Sequence, residues 1–200
     1  MQKKHNEGEY IACAILAGGE NSRMGRHKAF LDCHGRTFIG IIVDKIRQWF
    51  DDILIVTNNK VLFTDMDVQV CEDIIPHKGP IGGLYTALSM TSKEKVFCIA
   101  CDMPFFRDDI LQGIIQASER QEFDCYVPRG SFGLEPLFAI YRIRIKDLLK
   151  KEIKSEQLSI AKALEGCRTS YIDIHDKDAL VNINTPEEYI YYADKIKDMD

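Results

Sequence analysis

YIACAILAGGENSRMGRHKAFL, residues 10–31, is the stretch on which the reading of the fold turns. From Ile11 to Ala17 every side chain is apolar. That is the pattern of a strand covered on both faces, as in a parallel sheet with helices above and below it. The run then breaks into Gly18 and Gly19, which allow a sharp turn and close backbone approach to a ligand. Amide groups in such a turn point at anionic oxygens. Arg23 and Lys28 add positive charge, with Gly25 between them. Arginine grips phosphate as a fork and lysine as a point charge. Neither familiar glycine-rich signature fits. Lys28 comes three residues after Gly25 and is followed by Ala29, so there is no G-x-x-x-x-G-K-[ST], and G-x-G-x-x-G is absent too. The local alternative is a glycine turn with solvated basic residues.

The whole chain sets the frame for this loop. Its 200 residues are 46% hydrophobic and 28% charged, the balance of one globular domain with one sizeable core. We expect a single domain over residues 1–200, with 1–9 as a flexible tail. The formal net charge of −5 argues against nucleic acid as a partner but not against a small anionic ligand. Seven cysteines, most within apolar runs, read as reduced, buried residues of a cytoplasmic protein. Cys98 and Cys101 have C-x-x-C spacing but lie in a strand-like run, which favours core packing over redox chemistry. Lys3 and Lys4 before the first apolar run weakly imitate a signal peptide, and Glu7 and Glu9 spoil its basic region. No run approaches the ~20 apolar residues of a membrane span.

Strand and helix patterns alternate along the chain. Phe38, Ile42, Ile46 and Trp49 mark one helical face. DILIVTNN and VQVCED read as strands, and GGLYTALSM as a helix beginning after two glycines. KVFCIACD is a further buried strand. Asp108 or Asp109 is expected to cap a helix reaching Gln121. FDCYVPR and LEPLFAIYR are strands around a loop at GSFG, with an antiparallel excursion expected over 124–142. Two helical stretches, RIKDLLKKEIK and SIAKALEG, precede a last strand in TSYIDIH. Thr185, Pro186 and Glu188 then form the start of a final helix with a capping box. The order predicts an α/β fold: a Rossmann-like, mostly parallel sheet with helices on both faces. Ligands in such folds sit outside the carboxyl ends of the strands, at a topological switch point.

Four strand ends then carry the chemistry. The first is the glycine loop. The second is CIACDMPF, where Asp102 emerges from a buried run before Pro104. It is either a Mg²⁺ ligand, since Mg²⁺ takes only one or two protein carboxylates, or a cap of the following turn. CEDIIPHKGPIGG is either a surface loop and helix entry or a binding loop, in which Asp73 accepts hydrogen bonds from guanine N1–H and its 2-amino group while Gly79, Gly82 and Gly83 permit close approach. In LVNINTPEE, Asn182 and Asn184 are either turn residues or amides that orient waters or substrate near a metal.

Together these residues resemble the molybdenum cofactor guanylyltransferases, the MobA-like branch of the small nucleotidyltransferases. The matching segments are Leu16-Ala17-Gly18-Gly19, Arg23-Met24-Gly25, His27-Lys28, GPIGG, CDMPF, LEPLFAIYR and DKDALVNINTPEE, in family order from about residue 11 to 193. The resemblance implies a nucleotide-diphospho-sugar transferase type of fold. It also implies Mg²⁺-dependent transfer of GMP from GTP to molybdenum-bound molybdopterin, with pyrophosphate released. On this match Leu16, Ala17, Gly18 and Lys28 bind GTP, Asp73 contacts the nucleotide, and Asp102 binds Mg²⁺ and GTP. Asn182 and Asn184 lie near the cofactor or metal. Gly19, Gly25, Gly79 and Gly83 join the expected GTP contacts, and Arg23, Lys28 and Asp102 are the expected catalytic groups.

Two departures stand out: His27 replaces the family's acidic residue, and an arginine usual before the helix at SEQLSI is missing. The nucleophile would already be a phosphate oxyanion, so positioning and charge neutralisation matter more than a general base. Rival readings are a cytidylyltransferase, a nucleotidyltransferase for another small phosphate, and a non-catalytic carrier of the molybdenum cofactor. A transient complex with a molybdoenzyme or its chaperone is compatible with either an enzyme or a carrier. LAGG favours guanine over cytosine by the habit of the family.

Overall fold

The computed structural model describes residues 10–18, 27–131, 133–176 and 179–197. Its elements begin with β1 (Ile11–Leu16), β2 (Asp32–Cys33), β3 (Arg36–Thr37) and α1 (Phe38–Ile46). They continue with β4 (Ile53–Thr57), β5 (Gln69–Glu72), α2 (Gly79–Met90), β6 (Lys95–Ala100) and α3 (Asp108–Ser118). The second half contains β7 (Cys125–Gly130), β8 (Gly133–Leu134), β9 (Phe138–Arg142), α4 (Lys146–Lys154), α5 (Ile160–Ala163), β10 (Thr169–Asp173) and α6 (Pro186–Lys197).

The main sheet runs β10-β7-β9-β6-β1-β4-β5, with β8 beside β7. β1 pairs in parallel with both β4 and β6, and β4 with β5. β9 is antiparallel to β6 and β7, and β10 returns to parallel pairing with β7. This is the mostly parallel α/β sheet expected, and the antiparallel excursion falls within 124–142. From β1 the chain moves outward to β4 and β5, then comes back to lay β6 on the other side of β1. The switch point therefore lies between the carboxyl ends of β1 and β6.

Alternation along β1 explains why its run is apolar throughout. Cys13, Ile15 and Ala17 join one core layer with Ile39, Ile42 and Ile114 from α1 and α3. Ala14 and Leu16 face the other layer, with Leu84, Leu88, Leu149 and Ile153 from α2 and α4. Neither face of the strand meets water. Full burial of a side chain such as Ile15 contributes about 1.5–3 kcal/mol, so β1 anchors both layers.

Several local expectations need correction. α2 starts at Gly79, ahead of the paired glycines, so Gly82 and Gly83 lie inside its first turns. Packing explains them: a Cβ on Gly82 would lie 2.9 Å from the Lys78 Cβ and 3.2 Å from the Ile75 carbonyl oxygen. One on Gly83 would meet the Leu16 side chain at 3.2 Å. The glycines let α2 lie close to the end of β1. α3 is capped by neither aspartate; Arg107 is the N-cap residue, and Asp108 and Asp109 occupy the first turn, where they favour the helix dipole. That helix ends at Ser118 rather than Gln121, and α1 ends at Ile46, with Trp49 buried just beyond it.

The final capping box forms as read: the Glu188 N–H donates to Thr185 Oγ1 at 3.2 Å, and Glu188 Oε2 accepts from the Thr185 N–H at 3.1 Å. All seven cysteines are free, six of them buried. Burial pushes the Cys101 thiol up to about 12, which makes it a core residue rather than a nucleophile. No helix among the described residues is long and apolar enough to cross a membrane.

The glycines of α2 and α3 should respond oppositely to alanine. Gly82→Ala is expected to cost about 1–3 kcal/mol through overpacking. Gly113 has nothing within 4 Å of its Cβ position, so Gly113→Ala should gain up to about 1 kcal/mol from helix propensity. Thermal or urea melts of the two variants test this, and equal shifts would refute the packing account of Gly82.

Candidate active site

A cavity of about 440 Å³ opens at the switch point, within the ~300–1,000 Å³ usual for ligand pockets. Leu16 and Gly18 reach it from β1, Val56 and Asn58 from β4, Asp73 from β5, and Ala100 to Asp102 from β6. The start of α2 contributes Gly79, Pro80 and Gly83 to its wall. Gly79 has φ +62°, a left-handed conformation that glycine adopts without strain. Its position brings the positive end of the helix dipole to the rim.

One end of the cavity is ionic. Lys28 sits in a short 3-10 turn, Lys28–Phe30. Its Nζ donates to Asp102 Oδ2 at 3.1 Å and to Asn184 Oδ1 at 2.8 Å. The two charged side chains are 30% and 20% exposed, so the pair is partly screened from water. Asp102 Oδ1 is buried and has no hydrogen-bond partner among the described residues. Residues 181–185 form a strap beside this pair. The Ile183 N–H donates to the Asp102 carbonyl at 2.9 Å, and Glu188 Oε2 accepts from the Asn184 N–H at 2.7 Å. Ile183 itself is fully buried, which holds the strap down.

The other end is lined by hydrogen-bonding groups. Asn58 Nδ2 donates to the Gly18 carbonyl at 2.6 Å, and the Cβ position of Gly18 lies 3.6 Å from Asp73 Oδ2. Thr86 lies 3.4 Å from Asp73 Oδ1 and accepts from the Ile74 N–H at 3.0 Å. Burial raises the Asp73 carboxyl above its ordinary value, against the lowering effects of Thr86 and His77. Beside Lys28, the His27 ring packs edge-on against Phe30 and Phe63, each 5.6 Å away. Burial lowers its imidazole below the ordinary value, opposed by the Ala17 carbonyl. At neutral pH His27 therefore adds no positive charge.

Of the residues singled out in the sequence, Leu16, Gly18, Lys28, Asp73, Gly79, Gly83 and Asp102 line one cavity. Ala17 is fully buried behind it. Asn184 joins through Lys28, whereas Asn182 turns to Glu135, donating to its Oε2 at 2.8 Å. Gly19, Arg23 and Gly25 lie outside the described residues. Sequence reasoning missed Asn58, Thr86 and Glu135. Asn58 directly follows the last residue of β4, Thr57, and was open to the logic that found Asp73. Thr86 gave no local signal, and Glu135, although within LEPLFAIYR, was not singled out, because their partners lie 13 and 47 positions away. Among the described residues no group of three or more His, Cys, Asp or Glu side chains is arranged to hold a metal. The lone carboxylate of Asp102, with one buried oxygen unpartnered, suits a cation that takes its remaining ligands from phosphate and water.

Residues 13–167 match the family described as the MobA-like NTP transferase domain. A probable molybdenum cofactor guanylyltransferase from Peptoclostridium acidaminophilum is 31% identical, over 95% of this chain and 92% of the relative. Among solved structures, molybdopterin-guanine dinucleotide biosynthesis protein A from Archaeoglobus fulgidus superposes with a TM-score of 0.81 at 24% identity, covering 94% of this chain and all of that one. A CMP:2-keto-3-deoxy-manno-octonic acid synthetase, solved with CTP, shares the fold at a TM-score of 0.79 and 10% identity, covering 95% of this chain and 99% of that one.

The raised Asp73 carboxyl sets a pH test. A carboxyl whose value is raised by folding costs stability when ionised; the cost is absent below the ordinary aspartate range and grows as pH rises through the folded value. Asp73→Asn should melt above the wild type at pH 7, and the gap should narrow as pH falls from 7 toward 4. A gap that widened on acidification would contradict this.

Proposed function

The chain belongs to the MobA-like NTP transferase domain family, and from that membership we propose that it transfers GMP from GTP to molybdenum-bound molybdopterin, releasing pyrophosphate. The observation that carries this is the junction of Lys28, Asp102 and Asn184 at the switch point, with Asp102 Oδ1 left unpartnered. The relatives named as guanylyltransferases support the choice of substrates.

In this reading the base enters between Gly18 and the start of α2. Asp73 accepts from guanine N1–H and the 2-amino group, donors that cytosine does not present in that pair. Asn58 holds the Gly18 carbonyl, so the first glycine keeps the backbone where the base must pass. Thr86 keeps the Asp73 carboxylate turned toward the cavity. Lys28, with Arg23 and the amides around Gly19 and Gly25, binds the triphosphate and stabilises the departing pyrophosphate. Asp102 would hold Mg²⁺, with Asn184 close by, and that ion supplies charge neutralisation at the α-phosphate. The acceptor's terminal phosphate is the nucleophile and is already ionised, so none of these residues needs to take its proton. Their work is to bring two polyanions into line and to exclude competing geometries.

Purified protein with Mg²⁺ and molybdenum-loaded molybdopterin, supplied anaerobically with GTP or CTP, should give the guanine dinucleotide and pyrophosphate from GTP. Product from CTP alone would overturn the base assignment and keep the chemistry. No product from either, beside a working control enzyme, would favour a carrier or another acceptor. Lys28→Ala and Asp102→Ala should each reduce turnover by about 10²–10³-fold or more while the thermal transition persists. Near wild-type turnover in either variant removes its role.

A further inference from the structure

We infer that Glu135 is a positioning residue for the proposed transfer: its carboxylate fixes the Asn182 amide and, through it, the strap beside Asp102. This rests on the nucleotidyltransfer reading of the cavity. Glu135 lies between β8 and β9, within the LEPLFAIYR segment, and the sequence assigned it no role in the site. Its two oxygens face two ways. Oε2 accepts from Asn182 Nδ2 at 2.8 Å, and Oε1 accepts from the Leu137 N–H at 3.3 Å. Leu137 in turn lines the cavity, and its carbonyl accepts from the Ala100 N–H at 3.0 Å, two residues before Asp102. Glu135 thus ties the wall of the cavity to the strap.

The charge on this carboxylate is costly. No Lys or Arg among the described residues pairs with it, and burial raises its value, with Asp102 adding to the rise. A carboxylate kept in such a place without a counter-cation costs stability, and groups of that kind concentrate at functional sites. What it provides is direction. An asparagine amide has a donor end and an acceptor end, and a carboxylate can only accept. Asn182 must therefore turn its Nδ2 to Glu135, which leaves Oδ1 as the available acceptor. Asn184 is oriented by the opposite logic: the Lys28 ammonium only donates, so Asn184 gives it Oδ1 and turns Nδ2 toward the Asn182 carbonyl at 3.5 Å. Between the two, the Ile183 N–H fastens the strap to the Asp102 carbonyl. Glu135, Asn182, Asn184, Lys28 and Asp102 form one polarised chain. A glutamine at 135 could not reproduce it, since its NH2 donor would stand where one of the two oxygens accepts, from the Asn182 amide or from the Leu137 N–H.

The test is calorimetric titration of Mn²⁺ with GTP into the wild type, Glu135→Gln, Asn182→Ala and the double variant. Each single variant is expected to bind about tenfold more weakly, and the double no more weakly than Asn182→Ala, because residues acting as one unit are not additive. The ratio of GTP to CTP affinity should stay unchanged, since Asp73, Asn58 and Thr86 lie at the other end of the cavity. Wild-type binding by Glu135→Gln, a double variant weakened by the product of the single effects, or a shifted nucleotide ratio would each overturn the assignment. If Glu135→Gln loses its thermal transition, Asn182→Ser is titrated instead, and wild-type binding by it overturns the assignment equally. A wild type that binds Mn²⁺ and GTP yet transfers nothing to molybdopterin removes the acceptor reading and leaves the Glu135 result standing.

Discussion

Lys28 and Asp102 are 74 positions apart in the sequence and 3.1 Å apart in the fold. Their meeting depends on β1 and β6 being neighbours, which depends in turn on an apolar strand that both faces of the sheet can cover. Once formed, the pair lets two opposite charges sit in a half-enclosed cavity without either being left uncompensated, the condition that makes buried charge costly. On the proposed reading an incoming nucleotide takes over both halves: its phosphates replace the carboxylate beside Lys28, and its accompanying cation replaces the ammonium beside Asp102. The site is thus held together by an internal substitute for the ligand.

The two ends of the cavity use different physics. Around Asp73, Asn58 and Gly18 the contacts are hydrogen bonds between neutral or half-buried groups, suited to reading a base edge. Around Lys28, Asp102 and the strap the contacts are ionic, suited to neutralising phosphate. The start of α2 joins the ends, and it lies close enough only because Gly82 and Gly83 carry no side chain. A methyl group at either would press on Ile75, Lys78 or Leu16.

Much of this was legible in the sequence, because strand ends declare themselves. A strand stopping before Gly18, Asp73 or Asp102 shows both where the chain turns and which group it presents. The sheet class followed from alternating patterns, and the capping box at Thr185 and Glu188 formed as its spacing requires. What escaped depended on partners distant in the chain. Glu135 lies in a recognisable segment, but its role depends on Asn182, 47 positions on, and Thr86 in the middle of a helix has no local pattern to mark it. The start of α2 was placed too late because the glycines read as a break, when in three dimensions they make room for packing.

The strap carries a consequence for the order in which the molecule assembles. The contact from Lys28 to Asn184 spans 156 residues, so it closes only after the sheet between them has formed, and contacts of such range are the slow ones in folding. The same contact is the easiest to lose. Apart from Ile183, the strap is half-buried or exposed, and segments of that kind open locally well below the free energy of global unfolding. Competence and foldedness are therefore separable here: a molecule with its sheet intact and its strap lifted would pass every test of a native fold and still lack half of the cage around its lysine.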